Sequence, residues 1–190
     1  MSTASILLLA CWASVAEALP APPAPIVLTA SEEAVVKGGG VMVRYGGDAK
    51  QTVAVVDIAA PPDAVMKEVM DLPARVRDIG SLSSVDVYQD GTEQVKAKWT
   101  MSIAMVNVHF HIAYECAMAR GWCVYTLDDS KENDIDSSNG SYQAYAHGGG
   151  SRLVYRTDSL AAGAPEWVRK RLADSSAKEM LGGMKARAEE

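Results

Sequence analysis

Apolar and polar residues alternate through the middle of the chain, and this alternation predicts β-strands. In residues 93–105 and again in residues 107–118, apolar side chains occupy every second position, which is the period of a strand with one buried face. Shorter strand-like runs follow at 122–129, 141–146 and 151–159. We predict from these runs an antiparallel sheet with one dry face and one face turned to solvent.

Three stretches predict helices instead. Residues 62–70 repeat valine and methionine at the spacing of one helix face. They follow a strand that Pro61 and Pro62 end, since proline cannot donate to a sheet. Residues 74–80 predict a second short helix, and residues 165–188 predict a long helix with one apolar side. The predicted order is a strand, two short helices, a meander of strands and a long C-terminal helix.

Turn-forming residues predict how the strands connect. Asp90-Gly91 predicts a two-residue hairpin turn, and residues 147–150 predict the turn between the last two strands. Residues 34–47 hold β-branched residues around a run of glycines, and they predict one more hairpin near the start of the fold.

The N-terminus does not fit this plan. Residues 5–18 are a short apolar run that ends in Ala16-Glu17-Ala18, and the small residues there predict a signal peptide cleaved after Ala18. No Lys or Arg precedes the run, so a disordered or weakly helical tail is the alternative, and lipid attachment at Cys11 is a third. The run is too short to cross a bilayer.

The predicted organisation therefore has three parts. Residues 1–18 are the signal peptide, the proline-rich segment 19–33 is a linker, and residues 34–190 form one folded domain. We expect an exported chain of this kind to be secreted or periplasmic, with no transmembrane helix in the mature protein.

Composition narrows the function classes. The chain has 190 residues and a formal net charge of −6, which argues against nucleic-acid binding because such proteins carry a basic face. The negative charge also provides no attraction to anionic lipids. Nine methionines stand against one phenylalanine, and methionine is used where an apolar surface adapts to its partner.

Five segments follow one another in an order that is typical of one superfamily: VDIAAPPDAVMKEVMDL, SVDVYQDG, YTLDDSKENDI, GGGSRLVYR and PEWVRKRLADSSAKEMLGGMKARAE. Over roughly residues 50–188 they resemble the START-like, Bet v 1-like superfamily (SRPBCC) of polyketide cyclase/dehydratase and lipid-transport proteins. The resemblance implies an α+β helix-grip fold, in which a curved antiparallel sheet wraps around a long C-terminal helix, with two short helices after the first strand. It also implies an internal apolar cavity.

The resemblance favours one function and leaves others open. We expect the protein to bind or transfer a hydrophobic, lipid-like molecule without catalysis. The alternative is a polyketide cyclase/dehydratase-type enzyme that acts on a bound apolar substrate, and a fold with a vestigial cavity is a third interpretation. No cofactor is expected. The expected partner is the hydrophobic molecule, and we expect a monomer that makes transient membrane contact.

The predicted site is the gap between the sheet and the long helix. Residues 62–70 are expected to close this gap as a lid, with their valine and methionine side chains turned inward. A packed core uses the same residue types, so residue type alone does not separate a core from a cavity. The predicted lining residues come from the lid, the strands and the long helix: Val65, Met66, Val69, Met70, Trp99, Met101, Ile103, Met105, Phe110, Ile112, Tyr114, Tyr125, Tyr142, Tyr155, Arg156, Leu172, Met180 and Met184.

Two kinds of polar residue belong to this set for different reasons. An inward tyrosine hydroxyl would hydrogen-bond the polar end of a ligand, although tyrosines in a sheet are more often core residues. Arg152 and Arg156 share one face of the last strand, and an inward arginine would neutralise a ligand carboxylate. The usual place for such an arginine is solvent.

Few residues predict catalysis or metal binding. His109, His111 and Glu115 share a strand face, but their spacing along the strand does not let them converge on a metal ion, and His147 lies in a distant turn. A solvent-facing polar row is the favoured interpretation, whereas inward histidines would be acid–base candidates. The acidic loop after Asp128 lacks the glycine and closing glutamate of a calcium loop. We predict no metal site and no catalytic residue.

Two cysteines are placed to pair. A turn at Ala119-Arg120 would put Cys116 directly opposite Cys123 on neighbouring strands. That separation suits a disulfide, and an oxidising compartment would favour its formation. The alternative is a pair of small, buried apolar side chains.

Overall fold

The structure is a computed structural model. It describes residues 19–45, 51–91, 94–103, 106–160 and 166–190, with the side chains of 103, 159–160 and 166–173 left out of the description. The predicted signal peptide lies outside the described residues.

Four helices and eight strands make up the described part of the chain. In chain order they are α1 (Ala30–Lys37), β1 (Met42–Tyr45), β2 (Gln51–Ile58), α2 (Pro62–Met70), α3 (Arg75–Asp78), β3 (Leu82–Asp90), β4 (Val95–Ile103), β5 (Val106–Ala117), β6 (Trp122–Leu127), β7 (Ser137–His147), β8 (Gly150–Leu160) and α4 (Glu166–Ala188). Short 3₁₀ turns precede α3 and β6. None of the described helices has both the length and the apolar character that crossing a bilayer requires.

The eight strands form one curved antiparallel sheet in the order β1-β2-β8-β7-β6-β5-β4-β3. The strand before α2 therefore pairs with the last strand, Val55 lying opposite Val154, and the meander runs away from this pair to the far edge. Helix α4 contacts β1, β2, α2 and α3. The predicted α+β helix-grip architecture is confirmed.

Alternation along the strands produces the two faces of the sheet. The inner face, which is turned to α4, carries Ala97 and Trp99 of β4 and Leu153 of β8, and these side chains belong to the main apolar core. Helix α2 adds Val65 and Met66, both fully buried. Pro62 stands at the first turn of α2, where a missing N–H leaves no intrahelical bond unmade.

The outer face is covered by the N-terminal segment rather than by solvent alone. A second apolar cluster joins Val36 of α1 to Val55 and Val154 of the sheet, with Ile26 packed against it. The side chain of Gln143 also donates to the carbonyl of Pro23 at 2.7 Å. The predicted linker therefore already contacts the sheet, through Pro23 and Ile26.

The predicted hairpin over 34–47 is wrong in its first half. Helix α1 begins after Thr29, whose side chain accepts the Glu32 backbone N–H while the Glu32 carboxylate accepts the Thr29 N–H. This reciprocal capping box stabilises a helix start and overrides the β-branched residues that follow. Within the described part of this stretch, β1 is the one strand, and it pairs with β2.

The predicted two-residue turn at Asp90-Gly91 is also wrong. Asp90 pairs with Val95, so the connection spans residues 91–94, and the Gly91 N–H donates to the Gln94 carbonyl at 3.1 Å. By contrast, the turn between β7 and β8 has two central residues, Gly148 and Gly149, with φ of 59° and 86°. Glycine adopts these left-handed values without strain.

Candidate functional site

The candidate site is the interior between the inner face of the sheet and helix α4, closed on one side by α2. Helix α2 contacts α4, β7 and β8. Its Val65, Met66 and Val69 side chains are buried in the main core together with Met180 and Met184 of α4. These side chains are turned toward the inner core, and that they close a ligand-binding gap as a lid remains a prediction.

Most of the predicted lining residues share this interior. They are buried in the main core or packed against it: Val65, Met66, Val69, Met70, Trp99, Met101, Phe110, Ile112, Tyr114, Tyr125, Tyr142, Tyr155, Met180 and Met184. The side chains of Ile103, Met105 and Leu172 lie outside the described residues. That these residues bind a ligand remains a prediction.

Arg156 is not a lining residue. Its neighbour Tyr155 packs against the inner core, so Arg156 points to the opposite face. There its guanidinium donates to the side-chain oxygen of Gln143 at 3.3 Å. The prediction that Arg156 lines the interior is wrong.

Four tyrosines form a connected aromatic cluster on the inner face. The ring of Tyr125 lies 5.7 Å from that of Tyr114 and 5.9 Å from that of Tyr142, centroid to centroid. The Tyr142 and Tyr155 rings stack at 4.9 Å. Because offset and tilted aromatic pairs attract one another, the cluster forms a rigid aromatic surface that faces the methionines.

The tyrosine hydroxyls are held within the protein. The Tyr125 hydroxyl lies 2.9 Å from that of Tyr155 and donates to Thr157 Oγ1 at 2.7 Å. The Tyr142 hydroxyl donates to the thioether of Met180 at 3.4 Å. Burial raises the pKa of Tyr125 and of Tyr142 well above the usual value. These phenols therefore stay neutral, and they are poor general bases at physiological pH.

Trp99 carries an unsatisfied polar group in the interior. Its side chain is 7% exposed, and its ring stacks on Phe110 with the centroids 6.2 Å apart. The indole Nε1 has no hydrogen-bond partner within the described part of the chain. Burial raises the pKa of the neighbouring Tyr114 hydroxyl, and the Trp99 side chain, which lies within hydrogen-bonding reach of that hydroxyl, opposes the shift. The angle between the two groups does not make a regular hydrogen bond.

Arg75 is the buried cation beside this interior, and the sequence analysis did not single it out. The side chain is 1% exposed. It donates to Asp78 at 3.1 Å and to the carbonyls of Glu68 and Val69 at the end of α2. Desolvation lowers the pKa of Arg75, and the Asp78 carboxylate opposes that shift.

A second arginine ties the same carboxylates to α4. Arg187 donates to Asp78 at 2.6 and 3.0 Å and to Glu68 at 2.7 Å. Two guanidinium groups and two carboxylates thus form one network that joins α2, α3 and α4. We call these four residues, Glu68, Arg75, Asp78 and Arg187, the helix latch.

The predicted cysteine pair lies beside the last residue of α2. Cys116 and Cys123 are opposite one another and are joined by a disulfide, with their Cα atoms 4.0 Å apart. The thioether sulfur of Met70 lies 3.3 Å from Cys116 Sγ and 3.8 Å from Cys123 Sγ. The C-terminal end of the lid helix therefore rests on the disulfide.

The histidines lie away from the interior. The His109 ring contacts the Thr100 hydroxyl at 3.1 Å, and the backbone N–H groups of His109 and His111 donate to Asp134 and Asn133 at 2.7 Å. The polar loop that follows β6 is thus hydrogen-bonded to the backbone of β5, alongside that strand. This is a structural arrangement, in keeping with the polar row that was favoured from the sequence.

Three potential metal ligands also meet on the outer face. Single ligand atoms of Glu33, Asp57 and His147 lie within 4.8 Å of one another. Arg152 already donates to Asp57 at 2.7 and 2.8 Å and to Glu33 at 3.0 and 3.1 Å. Its positive charge occupies the place that a cation would take.

An open depression lies beside the start of the lid. It has a volume of about 580 Å³ and is bordered by residues 59–62 and 146–150. Its lining is largely alanine, proline and glycine. It therefore offers an approach to the N-terminal end of α2, but few side chains that would recognise a ligand.

Comparison with known proteins identifies the fold. No protein-family model matches the sequence, and no curated protein matches it. Solved structures do match. An aromatase/cyclase from Streptomyces sp. R1128 superposes with a TM-score of 0.64 at 14% identity, over 78% of this chain and 94% of that one.

Two further structures agree with this match. A STAR-related lipid transfer protein from Xanthomonas axonopodis gives a TM-score of 0.61 at 15% identity, over 79% of this chain and 93% of that one. A START superfamily protein from Mycobacterium smegmatis gives 0.60 at 14% identity, over 73% and 97%. The chain has the START/Bet v 1-like fold that the sequence motifs indicated. At these identities the likeness establishes the fold alone.

Proposed function

We propose that the protein binds an apolar, lipid-like small molecule between the inner face of the sheet and α4. The observation that carries this proposal is the placement of the methionines. Five of the nine in the chain lie in or against the inner core, and they come from α2, β4 and α4: Met66, Met70, Met101, Met180 and Met184.

Methionine at this place allows the interior to adapt. Its unbranched side chain repacks around different shapes at little cost in free energy. Contacts between α2 and α4 can therefore separate and re-form around a bound ligand. Each buried methylene group of a ligand contributes about 0.8 kcal/mol. An acyl chain or a ring system therefore needs no catalytic group to be held. The solved lipid transfer protein of the same fold supports this function.

Helix α2 is the movable wall in this proposal. Its C-terminal end contacts the disulfide through Met70 and is held by the helix latch, in which Arg75 donates to its last carbonyls. Its N-terminal end borders the open depression. We propose that the ligand enters beneath this end, which lies away from the helix latch.

An enzyme of the cyclase or dehydratase kind is the second candidate. It is supported by the hydroxyl chain of Tyr125, Tyr155 and Thr157 and by the solved aromatase/cyclase of the same fold. The raised pKa values of the buried tyrosines make these groups poor acids and poor bases near neutral pH. Binding without chemistry is the better supported function.

Binding is tested with delipidated protein and a neutral, environment-sensitive fluorescent probe. We expect saturable probe binding, displacement by a lipid extract, and recovery of unaltered lipid by native mass spectrometry. Chemically altered ligand would favour the enzyme. Absence of binding to probe and to extract alike would overturn the proposal.

A variant that fills the interior sharpens this test. Met184 is fully buried in the main core, so Met184→Trp occupies the proposed ligand volume and should weaken probe binding at least about tenfold. Met118→Trp is the matched control, because Met118 is 38% exposed on the turn before β6. Far-ultraviolet circular dichroism verifies that both variants are folded. Equal probe affinities in the two folded variants would place the ligand elsewhere.

We also propose that the chain is exported and cleaved after Ala18. The disulfide between Cys116 and Cys123 supports an oxidising compartment, where such bonds persist. Intact mass of the mature protein, measured with and without reductant, tests both parts of this proposal. Free thiols in the natively isolated protein would remove its support.

A further inference from the structure

We propose that the indole N–H of Trp99 is the hydrogen-bond donor of a ligand subsite, and that this subsite selects an apolar molecule with a neutral carbonyl or hydroxyl oxygen over a carboxylate. The inference rests on the proposed function and specifies the ligand class. It is carried by an unpartnered polar group inside the apolar interior and by the balance of charge around it.

The indole N–H is placed to meet a ligand. Trp99 is on the inner face of β4, between Ala97 and Met101 in the alternation, and it is more than nine-tenths buried. Stacking on Phe110 restricts the ring. Nε1 makes no regular hydrogen bond to a described acceptor, although the Tyr114 hydroxyl lies within its reach. A buried donor without an acceptor destabilises a fold unless another molecule supplies the acceptor.

A ligand with a hydroxyl or a carbonyl oxygen would satisfy this donor. The neighbouring Tyr114 is buried, and burial raises the pKa of its hydroxyl, so the phenol remains protonated. It provides a second group that can donate to the same ligand oxygen or accept from a ligand hydroxyl. Trp99, Phe110 and Tyr114 thus form an apolar subsite with one or two polar contacts.

The charges near the interior disfavour an anionic ligand. Arg75 is a buried cation whose charge lowers the pKa of Tyr142 and of Tyr114, against the larger effect of burial. Its charge is already balanced within the helix latch, where two guanidinium groups meet two carboxylates. A ligand carboxylate would therefore enter the interior without a counter-ion, and burying an unpaired charge is far more costly than burying a neutral oxygen.

The chain supplies its own control for this inference. Trp122 is 5% exposed, and its indole N–H also has no partner among the described residues. Cys123 and Tyr125 of the same strand point into the inner core. Trp122, one position before Cys123, therefore faces the other side of the sheet. The same Trp→Phe change at the two positions removes the same atom from opposite faces.

The experiment compares four ligands of equal chain length: dodecane, 2-dodecanone, 1-dodecanol and dodecanoate, each displacing a neutral fluorescent probe at a pH where dodecanoate is ionised. We expect the ketone and the alcohol to bind at least about tenfold more tightly than dodecanoate. Trp99→Phe should weaken the ketone about fivefold to tenfold, which is the usual range for one hydrogen bond. The same variant should leave dodecane affinity unchanged, and Trp122→Phe should leave all four ligands unchanged.

Each opposite outcome overturns the inference. It fails if dodecanoate binds as tightly as the ketone, if Trp99→Phe leaves ketone affinity unchanged, or if Trp122→Phe produces the same loss. If dodecane binds as tightly as the ketone, the inference is overturned but the proposed function stands. Lack of binding by all four ligands overturns both.

A second measurement removes the dependence on variant folding. In the unaltered protein labelled with ¹⁵N-tryptophan, the Trp99 indole N–H resonance should move downfield when 2-dodecanone is added, and dodecane should not produce this shift. Trp99→Phe and Trp122→Phe assign the two indole signals by their disappearance, and the shift itself is measured in the unaltered protein. An indole spectrum that responds identically to the two ligands contradicts the proposal.

Discussion

The two faces of the sheet use polar groups in opposite ways. On the outer face Arg152 bridges Asp57 and Glu33, and Lys96 and Tyr88 both contact Asp128. On the inner face methionines and tyrosines enclose an indole N–H without a partner. The charged groups of the outer face are thus paired within the chain, although the Trp122 N–H on that face also lacks a described partner. On the inner face we propose that a ligand satisfies the unpartnered indole.

This difference has a physical origin. Ion pairs with good geometry fix one arrangement of the side chains that form them, so the outer face holds the N-terminal segment in one place. Methionine contacts have little directional preference and can be exchanged. The face that must stay constant and the face that is proposed to adapt are therefore built from different residue types.

The largest expected effect follows from breaking the outer face at Arg152. Its side chain is 4% exposed and is bound by two carboxylates. Arg152→Leu leaves those carboxylates facing each other without a cation, and we expect a loss of about 3 kcal/mol in the free energy of unfolding. Urea denaturation measures the loss.

Arg44→Leu is the matched control for this change. Arg44 pairs with Glu32 on the same face, but it is 41% exposed, so its removal should have a much smaller effect. Equal losses for the two variants would show that burial does not set the strength of the outer-face pairs. Neither change should alter probe binding in the interior.

A smaller effect is expected at the helix latch. A methyl group added at Gly183 of α4 would collide with the Asp78 carboxylate, whereas one at Gly182 meets open space. We expect Gly183→Ala to destabilise the protein by about 1–3 kcal/mol. Gly182→Ala should stabilise it by up to about 1 kcal/mol, because alanine favours a helix.

The same pair of variants tests whether the latch restrains the lid. Amide hydrogen exchange in α2 should accelerate in Gly183→Ala and remain unchanged in Gly182→Ala, since only the first displaces Asp78 from Arg75 and Arg187. Identical exchange in the two variants would show that the latch does not control opening of α2.

The smallest expected effects come from titration, because stability should change only far from neutral pH. The outer face should lose stability in acid, and the inner face should lose it in alkali. The Thr29 backbone N–H and the Arg44 guanidinium lower the pKa of Glu32 to about 2. Because this pKa lies below the unfolded value near 4, the carboxylate stabilises the fold above that pH. The stabilisation is lost as the pH falls from about 4 toward 2.

On the inner face the sign is reversed. Burial raises the pKa of Tyr142 above the usual value near 10, so its neutral form stabilises the fold below that pH. The stabilisation is lost as the pH rises past about 10. Thermal denaturation across the pH range should show a flatter acid limb in Glu32→Gln and a flatter alkaline limb in Tyr142→Phe. A changed acid limb in Tyr142→Phe would refute this separation of the faces.

Much of the fold was predictable because it depends on period and order. Strand alternation placed Trp99 and Tyr114 on the inner face, and counting residues back from a tight turn placed Cys116 opposite Cys123. The capping box at Thr29 was also readable, but the glycines and β-branched residues after it misdirected the prediction toward a hairpin. Local signals of equal strength conflicted there.

Other features were not predictable, for a geometric reason. Tyr155 and Arg156 were both assigned to the interior, although neighbouring strand residues face opposite sides. Only the pairing of β8 with β2 and β7 decides which of the two is inside. Arg75 and Arg77 stand in the same short helix, and nothing local separates the buried one from the exposed one.

The sequence by itself determined the order of the elements, the two-sided character of the strands and the cysteine register, since each depends on the spacing of residues along one or two neighbouring segments. The tertiary structure alone decided the helix latch and the unpartnered indole of Trp99. Hydrogen-bond satisfaction is a property of groups that are distant in sequence, and no periodicity records which donor is left without an acceptor when they meet.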